Sequence, residues 1–216
     1  MESAAAEGFP TGRGTARRGA LELHFVGGWL DNMAAEGTRP FTLDGVAWPS
    51  VEHYFQAHKH PGAEGAARVR EIRAAPTPSE AKRRSYAAGG SFAAHAERWE
   101  AVKVAVMYTG LRGKFTQHED MRGWLLATRG LSIVEHCRDA VWGDGAPSFA
   151  TEQRGAGSNL FGLCLTALRL ELQGAAVCAE DRRLLEGSEE LRRFREEVLA
   201  PQLLAMEGGE RIVVAD

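Results

Sequence analysis

The chain changes its hydrophobic rhythm twice, and those changes mark its elements. Leu21-Glu22-Leu23-His24-Phe25 alternates apolar and polar positions as a strand does, and Gly27-Gly28 ends it. Phe41-Thr42-Leu43 and Val46-Ala47-Trp48 flank Asp44-Gly45, a strong short hairpin signal. From Ser50, an N-cap residue, the period becomes helical. Val51, Tyr54, Phe55 and His58 fall at i, i+3, i+4 and i+7 and predict one buried face, with Glu52, Gln56 and Lys59 as a neighbouring polar stripe. Further helices are expected over Gly62 to Ala74, from the capping box Thr77-Pro78-Ser79-Glu80 to about Ala88, over His95 to Phe115 and over His118 to Thr128. Leu131 to Cys137 reads as a strand leading into a loop at Asp139 to Gly145, and Ser158 opens an amphipathic helix through Leu170. Residues 179 to 205 alternate charge along helical turns and predict a solvated or partner-facing segment.

This pattern predicts an α+β, predominantly helical fold with a small set of short strands. One domain covers 21–173, preceded by a disordered lead at 1–20 and followed by a charged helical appendage and tail at 174–216. A chain of 216 residues is long enough for one sizeable core. The net charge of -3 argues against a nucleic-acid binder working by bulk electrostatics. Cys137, Cys164 and Cys178 are odd in number and far apart, which argues against a disulfide framework and for a reducing, cytoplasmic setting. The start lacks an apolar signal-like stretch, and no run is long enough to span a bilayer, so no membrane role is expected.

Two blocks set a carboxylate among large rings: Trp48-Pro49-Ser50-Val51-Glu52-His53-Tyr54-Phe55-Gln56-Ala57 and Asp139-Ala140-Val141-Trp142-Gly143-Asp144-Gly145. Apolar surroundings raise a carboxyl pKa towards the working pH, and an aromatic face offers a stacking surface for a base or sugar. Two such acids flanking a glycosidic bond make a hydrolase. The plainer reading puts Tyr54, Phe55 and Trp142 in the core and makes the acids a cap and a turn. Arg154-Gly155-Ala156-Gly157-Ser158-Asn159 ends at a helix N-terminus, a place suited to phosphate or to an ordinary turn. Lys82-Arg83-Arg84 is either a solvated helix face or a phosphate grip. His53, His58 and His60 are neighbours, but their spacing does not put two ligands on one helical face, so no metal site and no cofactor are expected.

Taken together, these blocks resemble the NADAR (NAD and ADP-ribose associated) superfamily, the YbiA-like proteins, from about Leu21 to Gln173. The likeness also runs through Trp99-Glu100-Ala101-Val102-Lys103, Leu111 to His118, Leu125-Leu126-Ala127-Thr128 and Gly157-Ser158-Asn159-Leu160-Phe161-Gly162. It implies an N-glycosidase acting on the C1′–N bond of early riboflavin-pathway ribosylamino-pyrimidines, or on ADP-ribosylated guanine. It also implies catalytic roles for Glu52, Asp139 and Trp99, and substrate contacts at Asn32, Lys59, Trp142, Gly143 and Asn159. The expected partner is a small ribosyl or ADP-ribosyl substrate, with ADP-ribosylated nucleic acid as an extension; oligomeric state is open. Glu52 is expected as the acid/base and Asp139 as the stabilising or water-positioning group, the two facing each other across a pocket walled by Trp99 and Trp142. Two departures stand out: Leu30-Asp31-Asn32-Met33 lacks the family's aromatic, and the loop Glu152 to Gly157 is recast. The competing readings are a non-catalytic ADP-ribose or nucleotide-binding module and an interaction protein working through its C-terminal helix.

Overall fold

A computed structural model of the protein describes residues 15–18, 21–34, 39–87, 95–146 and 154–214. The chain forms two compact units, one from Met1–Asp31 with His118–Arg195 and one from Asn32–Gln117 with Glu196–Asp216.

In the first unit, β1 (Thr15–Arg18) runs antiparallel to β2 (Glu22–Val26), which runs parallel to β5 (Ser132–Glu135). Of the lead expected to be disordered, Thr15–Arg18 are instead an edge strand, because the backbone of β2 offers them a ladder; residues 1–14 and 19–20 lie outside the described residues. The alternation in β2 holds: Leu23 and Phe25 are buried while Glu22 and His24 take the other face. The unit adds α5 (Glu119–Ala127), α6 (Leu160–Gln173), α7 (Ala179–Gly187) and α8 (Glu189–Arg193). Helix α6 begins after Asn159 rather than at Ser158, because Asn159 adopts a left-handed φ of 48° that a helix cannot continue. A Cβ at Gly162 would stand 2.1 Å from the Ile133 carbonyl oxygen, so α6 approaches β5 too closely for any side chain there.

The segment after residue 173 is built into the fold. Arg169 of α6 and Asp181 of α7 are both fully buried and paired at 2.6 Å through Arg169 Nη2. The second guanidinium nitrogen donates to the Thr128 carbonyl and hydroxyl oxygens at 2.9 and 2.8 Å, and Gly130 N–H donates to Asp181 at 3.0 Å. Leu191 and Phe194 are also buried. The expected solvated appendage is corrected on this point, since its charge pattern concealed one acid and several apolar anchors that face inward.

The second unit holds the hairpin β3 (Phe41–Leu43) and β4 (Val46–Trp48), then α1 (Val51–Ala57), α2 (Gly62–Arg73), α3 (Pro78–Tyr86), α4 (Ala96–Gln117) and α9 (Ala200–Gly208). Asp44 and Gly45 turn the hairpin with φ of 51° and 77°, the conformation this dipeptide favours. Thr77 caps α3 by accepting from Glu80 N–H, with Pro78 in the first turn. Helix α9 lies along α4, where Gln202 accepts from Val104 N–H at 2.7 Å and donates to the Glu100 carbonyl at 3.1 Å. Among the described residues, no helix is long and apolar enough to cross a membrane.

The Arg169–Asp181 pair yields a stability test. Asp181→Ala leaves a buried guanidinium uncompensated, a change that costs about 3–5 kcal/mol. Urea unfolding should show a loss of that size; a loss under about 1 kcal/mol would mean the pair does not hold α7 in place.

Candidate active site

Asn32, Glu52, Lys59 and Trp99 come together in the second unit. Ser50 caps α1 by accepting from His53 N–H, and this sets Glu52 in the first turn. The helix differs from its expected one-sided pattern: all seven residues from Val51 to Ala57 are buried, so the polar stripe faces protein rather than water. Glu52 is only 2% exposed. Its carboxylate accepts from Asn32 Nδ2 through one oxygen and from Gln56 Nε2 at 2.8 Å through the other. Glu52 N–H donates to the Asn32 carbonyl at 3.3 Å, fixing Asn32 from both ends. Burial raises the Glu52 pKa above its ordinary value, and it wins over the opposing pull of Gln56, the charges of Lys82 and Lys59, and Asn32. Gln56 Oε1 is buried with no donor among the described residues.

Lys59 is 4% exposed, a rare condition for an ammonium group. It donates to the Tyr86 hydroxyl at 3.1 Å and lies 4.5 Å from the Tyr86 ring centroid, 5.3 Å from Phe55 and 5.5 Å from Trp99. Three ring faces stabilise the cation. Trp99 meets Phe55 edge-on at 4.8 Å and closes this apolar wall.

The three neighbouring histidines do other work. His53 bonds Ser50 Oγ and the Ala75 carbonyl, His58 the Tyr54 carbonyl, and His60 Ser85 Oγ. Burial pushes His58 and His60 down to about 4, so both rings are neutral. In the Lys82-Arg83-Arg84 cluster, both arginines pair with Glu80, and Lys82 acts on Glu52 through its charge.

Asp139, Trp142, Gly143 and Asn159 fall in the first unit. Asp139 is exposed, and its Oδ1 accepts from Val141 and Trp142 N–H at 2.9 and 3.1 Å, which shapes the loop after β5. A Cβ at Gly143 would meet Cys137 Sγ at 2.3 Å, so only glycine fits there. Asn159 is fully buried and spans β5: its Oδ1 accepts from Glu135 N–H at 3.0 Å and its Nδ2 donates to the Ile133 carbonyl at 2.9 Å. The glycine loop before α6 is likewise occupied. Gly155 N–H donates to the Asp144 carboxylate, and Gly157, Ser158 and Asn159 N–H donate to the carbonyls of Asp144, Ala140 and Gly143. The donors expected for a phosphate therefore hold the 139–145 loop instead; Glu152 and Gln153 lie outside the described residues.

Sequence reasoning passed over Glu135. It ends β5, and burial, together with the charges of Asp31 and Asp139, pushes its pKa up to about 8. The run Glu135, Asp139, Asp144 was the available signal, but a strand-end glutamate looks like any edge residue until its burial is known.

The NADAR domain family model matches residues 22–173. The chain belongs to the NADAR family. It is 39% identical over 146 residues to the N-glycosidase YbiA of Shigella flexneri, covering 67% of this chain and 81% of that protein. It is 37% identical over 143 residues to the chloroplastic riboflavin biosynthesis protein PYRR of Zea mays, covering 64% of this chain but 22% of the maize protein. The NMR structure of Escherichia coli YbiA matches with a TM-score of 0.53 at 36% identity, covering 67% of this chain and 77% of that one. Family membership thus supports the α+β, mainly helical fold, and it makes the protein a hydrolase acting on N-glycosyl compounds.

Glu135 predicts a pH effect with a definite sign. A carboxyl raised from 4.5 to about 8 binds its proton more tightly when folded, so stability is unaffected at low pH, falls as pH rises through 4.5 and levels off above about 8. The melting temperature should fall from pH 5 to pH 9 in the wild type and fall less steeply in Glu135→Gln. Parallel curves would contradict the raised pKa of Glu135.

Proposed function

We propose that this NADAR protein hydrolyses the ribosyl C1′–N bond of early riboflavin-pathway ribosylamino-pyrimidines, with ADP-ribosylated guanine as the competing substrate class. The observation that carries the reading is a buried carboxyl of raised pKa, held by Asn32 and Gln56 beside an aromatic-caged lysine. Cleavage of this bond passes through an oxocarbenium-like state, and the leaving nitrogen benefits from a proton. Glu52 is assigned the proton transfer, since burial raises its pKa above the ordinary carboxylate value and so favours the proton-bearing form that a general acid needs. Asp139 is assigned the stabilising or water-positioning role. Lys59 suits the polar groups of a substrate, Trp99 a stacked ring, and the donor-less Gln56 Oε1 an incoming N–H or O–H. The names of the relatives support the substrate class, since one is an N-glycosidase and another a riboflavin biosynthesis protein.

The test is incubation with ribosylamino-pyrimidines and with ADP-ribosylated guanosine, following release of base and sugar. Glu52→Gln should keep its circular dichroism spectrum and lose about 10²–10⁴-fold in rate, the usual cost of removing a proton-transfer group. Near wild-type turnover in the folded variant would remove Glu52 from the mechanism. Tight binding without base release would favour a non-catalytic nucleotide-binding module.

A further inference from the structure

The parallel pairing of β2 and β5 has a chemical consequence in the first unit. His24 pairs with Val134, so His136, two residues further on, lies on the same face of the sheet as His24 and Glu22. Asp144 joins this face from the loop that β5 feeds. His24 Nε2 is 2.9 Å from Glu22 Oε2, and His136 Nδ1 is 2.6 Å from Asp144 Oδ2. The two rings meet edge-on at 5.9 Å, and one ligand atom each from His24, His136 and Asp144 falls within 4.8 Å of the others. The side chains of His136 and Asp144 are 1% and 0% exposed, and that of His24 is 14% exposed.

We propose that His24, His136 and Asp144 form a binding site for a late first-row divalent cation of the zinc class. Two imidazoles and a carboxylate are the donor set that such ions prefer, whereas magnesium and calcium prefer oxygen alone. Each coordinating ring offers the cation an unprotonated nitrogen, so binding releases any proton held there. The supporting groups around the ligands are already present. Asp144 Oδ1 accepts from Ala146 N–H at 3.0 Å and Oδ2 from Gly155 N–H at 3.2 Å, which orients the carboxylate as partners of metal-bound carboxylates do. Arg154 approaches the other Glu22 oxygen at 3.6 Å but also pairs with Glu190 at 2.7 Å, so Glu22 has one oxygen turned to His24. The ion would clamp β2, β5 and the 139–145 loop together. The proposed chemistry at Glu52 does not use it.

Full-length, tag-free, chelator-treated protein should bind one equivalent of Zn²⁺ by calorimetry and melt at a higher temperature with Zn²⁺ than with the same concentration of Mg²⁺. His24→Gln, a change at a partly exposed strand position, should fold normally and weaken zinc binding at least about 10–100-fold, since loss of a ligand's hydrogen-bonding partner alone costs that much. Changing His95 or His118, which lie outside the cluster, to alanine should leave binding as it is. Three outcomes overturn the site: no zinc heat and no melting shift, zinc binding that survives His24→Gln, or equal response to magnesium.

Discussion

The second unit depends on the enclosure of one carboxyl group. Glu52 cannot be buried at acceptable cost unless its oxygens are hydrogen bonded, and the fold supplies Asn32 and Gln56 for that purpose. Gln56 is one helical turn away, so α1 must stay helical; Asn32 comes from before the hairpin, so the chain entering β3 must return to the start of α1. The buried cation two residues beyond α1 follows a different rule. Lys59 lies over three ring faces, and its charge lowers the Glu52 pKa by less than burial raises it.

The first unit solves a different problem, which is to hold an irregular loop in one conformation. Asp139 caps the turn, Asp144 and the carbonyls of 140 to 144 accept from the glycine loop, and Asn159 bonds both to the β5 backbone and to the Gly143 carbonyl. Gly143 and Gly162 permit backbone approaches that a Cβ would block. Nearly every polar group is thus committed to backbone, as expected where a functional loop rests on a rigid element.

Elements governed by local rules were legible in the sequence. The Asp44-Gly45 turn, the Ser50 and Thr77 caps and the alternation of β2 all depend on residues within a few positions of one another. The errors share a cause, which is burial imposed from a distance. Glu52, Gln56 and Lys59 have the spacing of a solvent face, yet α1 is covered on every side. The charged stretch after residue 173 conceals Asp181, which Arg169 holds in the interior. Glu135 and the His24–His136–Asp144 group are invisible until β2 and β5 pair, because their chemistry arises from strands more than 100 positions apart. The place of Glu52 in the first turn of α1 was legible because one short block carries both the acid and its helix cap.

Glu52 is thus a carboxyl that the fold buries and whose neutral form it favours. Carboxyl-stretch infrared titration of the folded protein, taken as the difference between wild type and Glu52→Gln, measures this directly. The Glu52 signal should lose its protonated band with a midpoint above the ordinary 4.5. A midpoint at or below 4.5 would show that Lys59, Lys82 and the two amides outweigh burial, and would contradict the acid/base role assigned to Glu52.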